Sequence, residues 1–490
     1  MDYAGKCLTL IGAASIQDYI FRSNDLKDNV GASQIVYSEL RYLYNHPPQG
    51  CTPIYAGGGN AALLFDSQED AKLAIQHWTF RIARDFPGLR VAVAHQPVRR
   101  HLRSAWNETR EKLSESENRP PFGSELGALP FVKVCATTGL AAAGTDYGEP
   151  ISAESKAKRA KREDFDRRLK ECILKPAVAE TFSIPKDFGK IGEEGASQIA
   201  LVHADGNNIG KAFKSCSEEA KSDDEFLDGI GDLSNKLTQT ETRALQNTVA
   251  DLTLAGVLNW LSSTKLIDRE QNNYVLPLRP IVFGGDDVTF VCHGKLGLSL
   301  ATRYIRHFEE ASRESFGDKT FTCCAGVLVM PQKFPFSRAY RLAEHLCANA
   351  KHRRREQGGT GSWIDFQLLL EGASGSLEGL RRILYGENFE NLLGRPYKID
   401  GDDSRSWTFF ERAYRHLTGG SHRWPRSRIK QMLESIAAGT GEDAALEQAF
   451  AARGYDLPAG MSAKNCFDAF EMADFHIEIA PELTVPAGAA

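Results

Sequence analysis

The most chemically suggestive residues in this sequence are two adjacent carboxylates at a tight turn. Asp286 and Asp287 follow Gly284 and Gly285, with Pro280-Ile281-Val282-Phe283 before them and Val288-Thr289-Phe290-Val291 after. Two apolar, β-rich runs around such a tip predict a β-hairpin, with glycines supplying the unusual turn dihedrals and leaving room for a phosphate or sugar. Adjacent acids repel unless something offsets their charge, and a divalent cation is the usual solution. A third acid stands nearby in the expected fold, because Ala200-Leu201-Val202-His203-Ala204 reads as a strand ending at Asp205-Gly206-Asn207-Asn208. A hairpin beside that strand brings Asp286 and Asp287 close to Asp205. Three carboxylates and a backbone carbonyl at neighbouring strand ends can hold two Mg2+ or Mn2+ ions, which activate a 3'-hydroxyl and steady a leaving pyrophosphate. Taken alone, Gly-Gly-Asp-Asp is also a good solvent-exposed turn. Lys351, at the expected end of a helix, either reaches triphosphate oxygens or simply complements the helix dipole.

The elements that carry these residues come in two copies. Residues 7 to 100 read as a strand from Cys7 to Ile11, a helical stretch, a hairpin from Ile54 to Phe65, a helix from about Ser67 to Phe86, and a strand from Leu89 to Ala94. The order recurs as a strand at Ala200 to Ala204, a long amphipathic helix from Leu245 to Leu261, the Pro280 to Val291 hairpin, a helix from Leu298 to Phe308 and a strand from Thr322 to Met330. A further helix spans Ser337 to Lys351. Strand, helix, hairpin, helix, strand is a ferredoxin-like α+β plan, used by nucleotide-polymerising palm domains. In the first copy the tip reads Gly57-Gly58-Gly59-Asn60 and the strand end Gly12-Ala13-Ala14. With no acid there, that copy is expected to bind or scaffold rather than catalyse.

Bulk composition narrows the class without deciding it. A chain of 490 residues exceeds a single core, and 42% hydrophobic with 25% charged residues is ordinary for a soluble protein. The net charge of -5 gives no overall nucleic-acid signature, so such binding would rest on local patches. No apolar run approaches bilayer length and no basic signal peptide precedes the first strand, so no membrane partner and a cytoplasmic location are expected. The ten cysteines form no Cys-x-x-Cys pair and read as reduced thiols. Between the copies, Lys156, Lys158, Arg159, Lys161, Arg162, Arg167, Arg168 and Lys170 lie on a helical stretch that faces either RNA or solvent. After Phe366 the chain turns helical, with segments at Leu368 to Leu370, Leu380 to Leu384, Phe409 to Leu417, Ile429 to Ile436 and Ala444 to Ala452. A frayed tail is expected from about Pro481.

As an ordered set, several motifs resemble the large, polymerase-like subunit of type III CRISPR effector complexes, a family that synthesises cyclic oligoadenylates. They are Ser15-Ile16-Gln17-Asp18-Tyr19-Ile20-Phe21 with Gly31-Ala32-Ser33, then Tyr55-Ala56-Gly57-Gly58-Gly59, and Ala204-Asp205-Gly206-Asn207-Asn208-Ile209-Gly210. Arg279-Pro280 leading into Gly284-Gly285-Asp286-Asp287 continues the set, followed by Ala325-Gly326-Val327, Leu342-Ala343-Glu344 and Ile364-Asp365-Phe366. The resemblance implies that Asp205, Asp286 and Asp287 ligate metal with the Gly206 carbonyl. It further implies that Asn207, Asn208, Gly284 and Gly285 lie at the nucleotide, and that Lys351 contacts the triphosphate. Two ATP molecules would meet between the palms, with Gly57, Gly58 and Gly59 positioning the acceptor. The implied organisation is a first palm over 1-100, an inter-palm insert over 101-195, a catalytic second palm over 196-370, and a C-terminal helical domain over 371-490 that docks partner subunits.

The chain departs from that family in three places. It has no His-Asp doublet of an HD nuclease, so DNA cleavage is not expected. Only Cys135 keeps the look of the family's zinc module, and one thiol makes no tetrahedral site, so no structural zinc is expected. A stand-alone relative outside a guide-RNA complex fits the shortened plan. Three other functions compete. In a diguanylate cyclase a guanine-reading asparagine would stand where Phe213 does; a template-dependent polymerase would need a basic duplex channel; a non-catalytic scaffold of a ribonucleoprotein would not need its metal acids.

Overall fold

The computed structural model describes residues 3–118, 131–191, 198–270, 272–285, 287–370, 375–420, 423–438 and 443–479. Asp286 and the tail from Pro481 lie outside the described residues.

The N-terminal part runs β1 (Cys7–Ala14), α1 (Ile16–Phe21), α2 (Leu26–Asn45), β2 (Cys51–Gly57), β3 (Asn60–Phe65), α3 (Gln68–Asp85), β4 (Arg90–Pro97) and α4 (Leu102–Glu117). Its sheet has the order β2-β3-β1-β4, with every neighbouring pair antiparallel. That is the strand order of the ferredoxin-like plan read from the sequence. β1 is buried almost throughout because α2 and α3 cover one face of the sheet and α4 the other. The first strand continues to Ala14, three residues beyond the expected end.

An insert follows, with the hairpin β5 (Ala142–Asp146) and β6 (Glu149–Ser152), then α5 (Ala153–Ala160), α6 (Arg162–Cys172), α7 (Pro176–Thr181) and the short β7 (Phe182–Ser183). Its basic stretch is not uniformly a solvent or RNA face. Lys158 is fully buried, pairing with Glu154 at 2.5 Å and donating to the Tyr19 carbonyl at 2.6 Å. Arg159 is clasped by Asp25, Asp28 and Asp146, and Arg168 is buried. These three cations fasten the insert to the N-terminal part. Removing one partner of a buried pair costs about 3–5 kcal/mol, so this contact is structural. Cys135 is buried beside the hydroxyls of Thr137 and Ser155.

The central part comprises β8 (Gln198–Gly206), α8 (Ile209–Glu219), α9 (Asp223–Ala250), α10 (Ala255–Ser263), β9 (Arg269–Glu270), β10 (Asn273–Val275), β11 (Leu278–Val282), β12 (Asp287–His293), α11 (Gly297–Phe316), β13 (Cys323–Pro331), α12 (Phe336–Glu356) and β14 (Trp363–Leu368). The order β11-β12-β8-β13 repeats that of the first sheet, and β14 extends it in parallel with β13. β8 is apolar and buried on both faces, as a central strand must be. The helix expected at Leu245 to Leu261 is instead two. α9 starts at the Ser222 cap, where the hydroxyl accepts the Glu225 N–H, and the chain breaks at residues 251–254 before α10. α12 runs on to Glu356, so Lys351 stands short of the last turn and is not a dipole cap.

The remainder is mostly helical: α13 (Leu377–Tyr385), α14 (Phe389–Leu392), β15 (Tyr397–Lys398), α15 (Trp407–Thr418), α16 (Arg426–Ala438), α17 (Asp443–Ala451) and α18 (Phe467–Met472). Leu368 closes strand β14 rather than opening a helix, and β15 returns to pair with β14 at the sheet edge. One continuous apolar core links both sheets with this helical part. Among the described residues no helix is long and apolar enough to cross a membrane.

Candidate active site

The register of the second sheet sets the acids. Asp287 opens β12 directly opposite Asp205, near the end of β8, while Cys324 of β13 flanks Asp205 on the other side. Seven consecutive pairings, from Ile199 with His293 to Asp205 with Asp287, hold β8 and β12 in this register. Lys351 reaches across from α12. Its Nζ lies 2.6 Å from the Asp205 carboxylate and 3.2 Å from the Gly206 carbonyl. Burial works against the ammonium, but the Asp205 carboxylate outweighs it and raises the lysine above its ordinary range.

An all-oxygen donor set of carboxylates and a carbonyl suits a hard cation such as Mg2+ or Mn2+. Here a cationic group already bridges two of those donors, Asp205 and Gly206, so the local field favours positive charge at that spot. Among the described residues no three metal-ligating side chains gather in one place, and Asp286, the third acid of the set, lies outside them. His203, two residues before Asp205, bonds through Nδ1 with the Thr289 hydroxyl at 3.0 Å, and burial lowers it to about 4. It stays a neutral neighbour at ordinary pH.

The two glycine turns meet at this point. Gly58 and Gly59 have φ of 57° and 77°, and Gly284 has φ of 88°, values that favour glycine. A Cβ added to Gly285 would stand 3.1 Å from the Gly58 Cα, so a side chain there pushes the tips apart. Between the turns opens a cavity of about 420 Å3, lined by Gly57, Gly58, Gly59, Asp205, Gly284, Gly285, Asp287 and Lys351. Residues 57 to 59 and 284 to 285 are thus brought to one space with both described acids.

Other expected residues sit differently. Asn207 is buried, its backbone and side-chain amides donating to Thr322 at 2.8 and 3.0 Å, and it ties the β8 end to the start of β13 rather than lining the cavity. Asn208 takes a left-handed conformation at the start of α8 and is exposed, also outside the cavity lining. Arg41, Tyr37 and Tyr340 line the cavity and were not singled out from sequence, while Glu344, which also lines it, stood in one of the motifs of the resemblance. They come from α2 and α12, whose residues show only helical periodicity in one dimension. Arg41 gives the cavity a second cation beside Lys351.

A second cavity of about 410 Å3 lies across the turns and shares Gly57, Gly58 and Gly285 with the first. Tyr55, Trp106 and Phe213 give it aromatic walls, and Arg110 and Glu117 line it too. In the first sheet the pair corresponding to Asp205 and Asp287 is Gly12 and Asn60. A Cβ on Gly12 would overlap the carboxylate of Glu117, so α4 delivers an acid to the strand end that lacks its own. This corrects the expectation of an acid-free first turn, although a single carboxylate replaces none of the paired set.

Comparison with known proteins bears on this arrangement. Residues 198–358 match the sequence profile described as Cas10/Cmr2, second palm domain. That segment is similar to a Cas10-type second palm. It contains Asp205, both glycines of the central turn, Asp287 and Lys351. No curated protein matches in sequence. In fold, the chain is similar to a chain of the Csm1–Csm4 cassette in complex with cA4, at TM-score 0.52 and 12% identity, covering 97% of this chain and 70% of that one. It is likewise similar to the Csm1–Csm4 cassette in complex with AMPPNP, at TM-score 0.52 and 14% identity over 96% of this chain and 70% of that one. The cassette in complex with pppApA gives TM-score 0.50 at 12% identity, again over 96% and 70%. At such identity the likeness concerns the fold, and it runs through nearly the whole chain.

Proposed function

We propose that this protein is a metal-dependent nucleotidyltransferase that joins ATP into cyclic oligoadenylate-type second messengers in antiviral defence. The observation that carries the reading is the cross-strand pair Asp205–Asp287 at a cavity closed by a second glycine turn of the same topology. In this reading residues 1-100 and 196-370 are two palms, 101-195 is an insert joining them, and 371-490 is a helical domain for partner subunits.

Asp205, Asp286, Asp287 and the Gly206 carbonyl would hold Mg2+ or Mn2+, which when bound lowers the pKa of a 3'-hydroxyl and neutralises charge on the leaving pyrophosphate. The chain's own residues do the rest. The glycine turns let two nucleotides approach the backbone from both sides, one in each cavity, and so convert a bimolecular encounter into an oriented one. Lys351 moves from Asp205 to the triphosphate. The pair with Asp205 is half-buried, and triphosphate oxygens offer the ammonium charge-assisted hydrogen bonds in its place. Arg41 supplies the second cation for phosphate oxygens. Phe213 packs 6.4 Å from Tyr55 in the aromatic cavity, offering a base a stacking face but no hydrogen bond to a guanine edge, which favours ATP. The Csm1–Csm4 cassettes to which this chain is similar in fold support a similar subunit as partner here.

The test is incubation of the purified protein with each labelled nucleoside triphosphate and Mg2+ or Mn2+, beside an Asp286→Ala/Asp287→Ala variant, with products resolved by chromatography and mass. Adenylate phosphodiesters that disappear in the variant are expected. Guanylate products alone would mean a diguanylate-type cyclase. No product from any triphosphate, even with candidate RNA and partner subunits added, would leave a scaffold.

A further inference from the structure

Behind the central glycine turn lies a layer of buried charge that the chemistry above does not use. Glu241, midway along α9, is fully buried, and its Oε2 accepts the backbone N–H of Gly284 at 2.6 Å. Its Oε1 has no hydrogen-bond partner among the described residues. Arg168 of α6 is 7% exposed, with its guanidinium 3.8 Å from the ring centre of Tyr37 and 4.1 Å from that of Phe283. All three guanidinium nitrogens are buried without a hydrogen-bond partner among the described residues. Burial pushes Arg168 down to about 10, while the charges of Tyr37, Cys172 and Glu241 pull it back. The faces of two aromatic rings and a nearby carboxyl group are what compensate this cation.

Three elements from three parts of the chain therefore converge on two consecutive turn residues, Phe283 and Gly284. A Gly-Gly turn has more backbone freedom than any other, and two adjacent carboxylates at its tip repel. Left alone, such a tip would sample many placements of its acids, whereas transfer chemistry demands one.

We propose that Glu241 is a positioning residue for the turn: by accepting the Gly284 N–H in a water-excluded site, it fixes the hairpin that sets Asp287 opposite Asp205. Arg168, held between Tyr37 and Phe283, braces the same turn from the insert. The Gly284 amide is thereby committed to the protein and not to a phosphate, which leaves Gly285 as the turn glycine that approaches a nucleotide. Glu241 touches neither nucleotide nor metal in this account. Its effect on turnover rests on the proposed function; its effect on the turn does not.

The experiment is hydrogen exchange by mass spectrometry over overlapping peptides spanning residues 280 to 290, on wild type, Glu241→Gln, Glu241→Leu and Arg168→Met, together with steady-state kinetics. In the wild type the Gly284 amide is protected; fast exchange there overturns the proposal without recourse to any variant. Glu241→Gln keeps an acceptor and stays within about 3-fold of wild type, while Glu241→Leu speeds exchange of the turn by roughly 10-fold or more with other regions unchanged. Arg168→Met gives a smaller acceleration of about 3-fold at the same peptides. In turnover, Glu241→Leu lowers kcat by roughly 100-fold with KM within about 3-fold of wild type, the pattern of misplaced reacting groups rather than lost binding. Unchanged exchange in Glu241→Leu, or a Gln variant as impaired as the Leu variant, contradicts the proposal. If the wild type makes no product, the exchange results still decide the matter, and that failure falls on the proposed function alone.

Discussion

The two glycine turns of this protein are built alike and equipped differently. Each lies between the second and third strands of a sheet with the same order, and in each the first residue after the turn pairs across to the end of the opening strand. In the central sheet that pair is Asp205 and Asp287; in the N-terminal sheet it is Gly12 and Asn60. Backbone topology thus reproduces a position, and the side chains placed there decide what the position can do. Because Gly285 stands against Gly58, the two turns share one opening, and the turn without paired acids still shapes the space in which the other works.

The sharpest way to break this comparison is to make the central turn resemble the other. Asp287→Asn or Asp205→Asn is expected to lower phosphodiester formation by roughly 1,000-fold or more, since each removes several kcal/mol of charge compensation at the reacting phosphate. Circular dichroism and the melting temperature should stay near those of the wild type. An active Asp287→Asn enzyme would mean that the difference between the turns carries no chemistry.

A smaller effect is expected from parting the turns while leaving both sets of side chains in place. Gly285→Val puts branched carbon where a Cβ alone already lies 3.1 Å from Gly58, so activity should fall by roughly 100-fold, from displacement of the two nucleotides by a fraction of an ångström or more. A Gly285→Val protein with wild-type kinetics would show that the turns work independently. Lys351→Ala is expected to cost about 10-fold, mainly as a higher KM for the nucleotide, in a titration of rate against triphosphate concentration.

A separate effect is on stability, read by melting rather than by turnover. Burial raises Glu241 to about 8, with the Gly284 N–H partly opposing it. Its folded-state pKa exceeds the unfolded one, so its contribution is fully present below about pH 4.5 and is lost as pH rises through about 8. Thermal melts across pH 4 to 9 should show the wild type losing stability relative to Glu241→Gln over that window, at most ~1.4 kcal/mol per pH unit. Parallel curves for the two proteins would remove the buried charge from the account.

Much of this comparison was legible in the sequence, because it rests on local patterns. A Gly-Gly-Asp-Asp tip between apolar runs, a strand ending in Asp205 and the recurrence of one element order need no long-range information. The residues that escaped notice owe their roles to contacts across the fold. Glu241 sits in the run Thr240-Glu241-Thr242-Arg243, which reads as ordinary solvent-facing helix until α9 is packed beneath the hairpin. The start of α9 was hidden by Gly229 and Gly231, which lower helix propensity. Lys158, Arg159 and Arg168 looked like a charged surface because sequence shows charge but not the groups that receive it: Glu154 and Tyr19 for Lys158, Asp25, Asp28 and Asp146 for Arg159, and Tyr37 and Phe283 for Arg168. Asn207 stands two residues after the strand-end acid in sequence, yet its bonds to Thr322 make it a brace for the strand end.

Calorimetric titration of the protein with a non-hydrolysable ATP analogue in Mg2+ tests most directly the claim that two unlike turns serve one site. Two nucleotides per chain are predicted, one weakened selectively in Asp287→Asn and both disturbed in Gly285→Val. A single nucleotide per chain, or two that Asp287→Asn leaves equally tight, would contradict the division of labour between the turns.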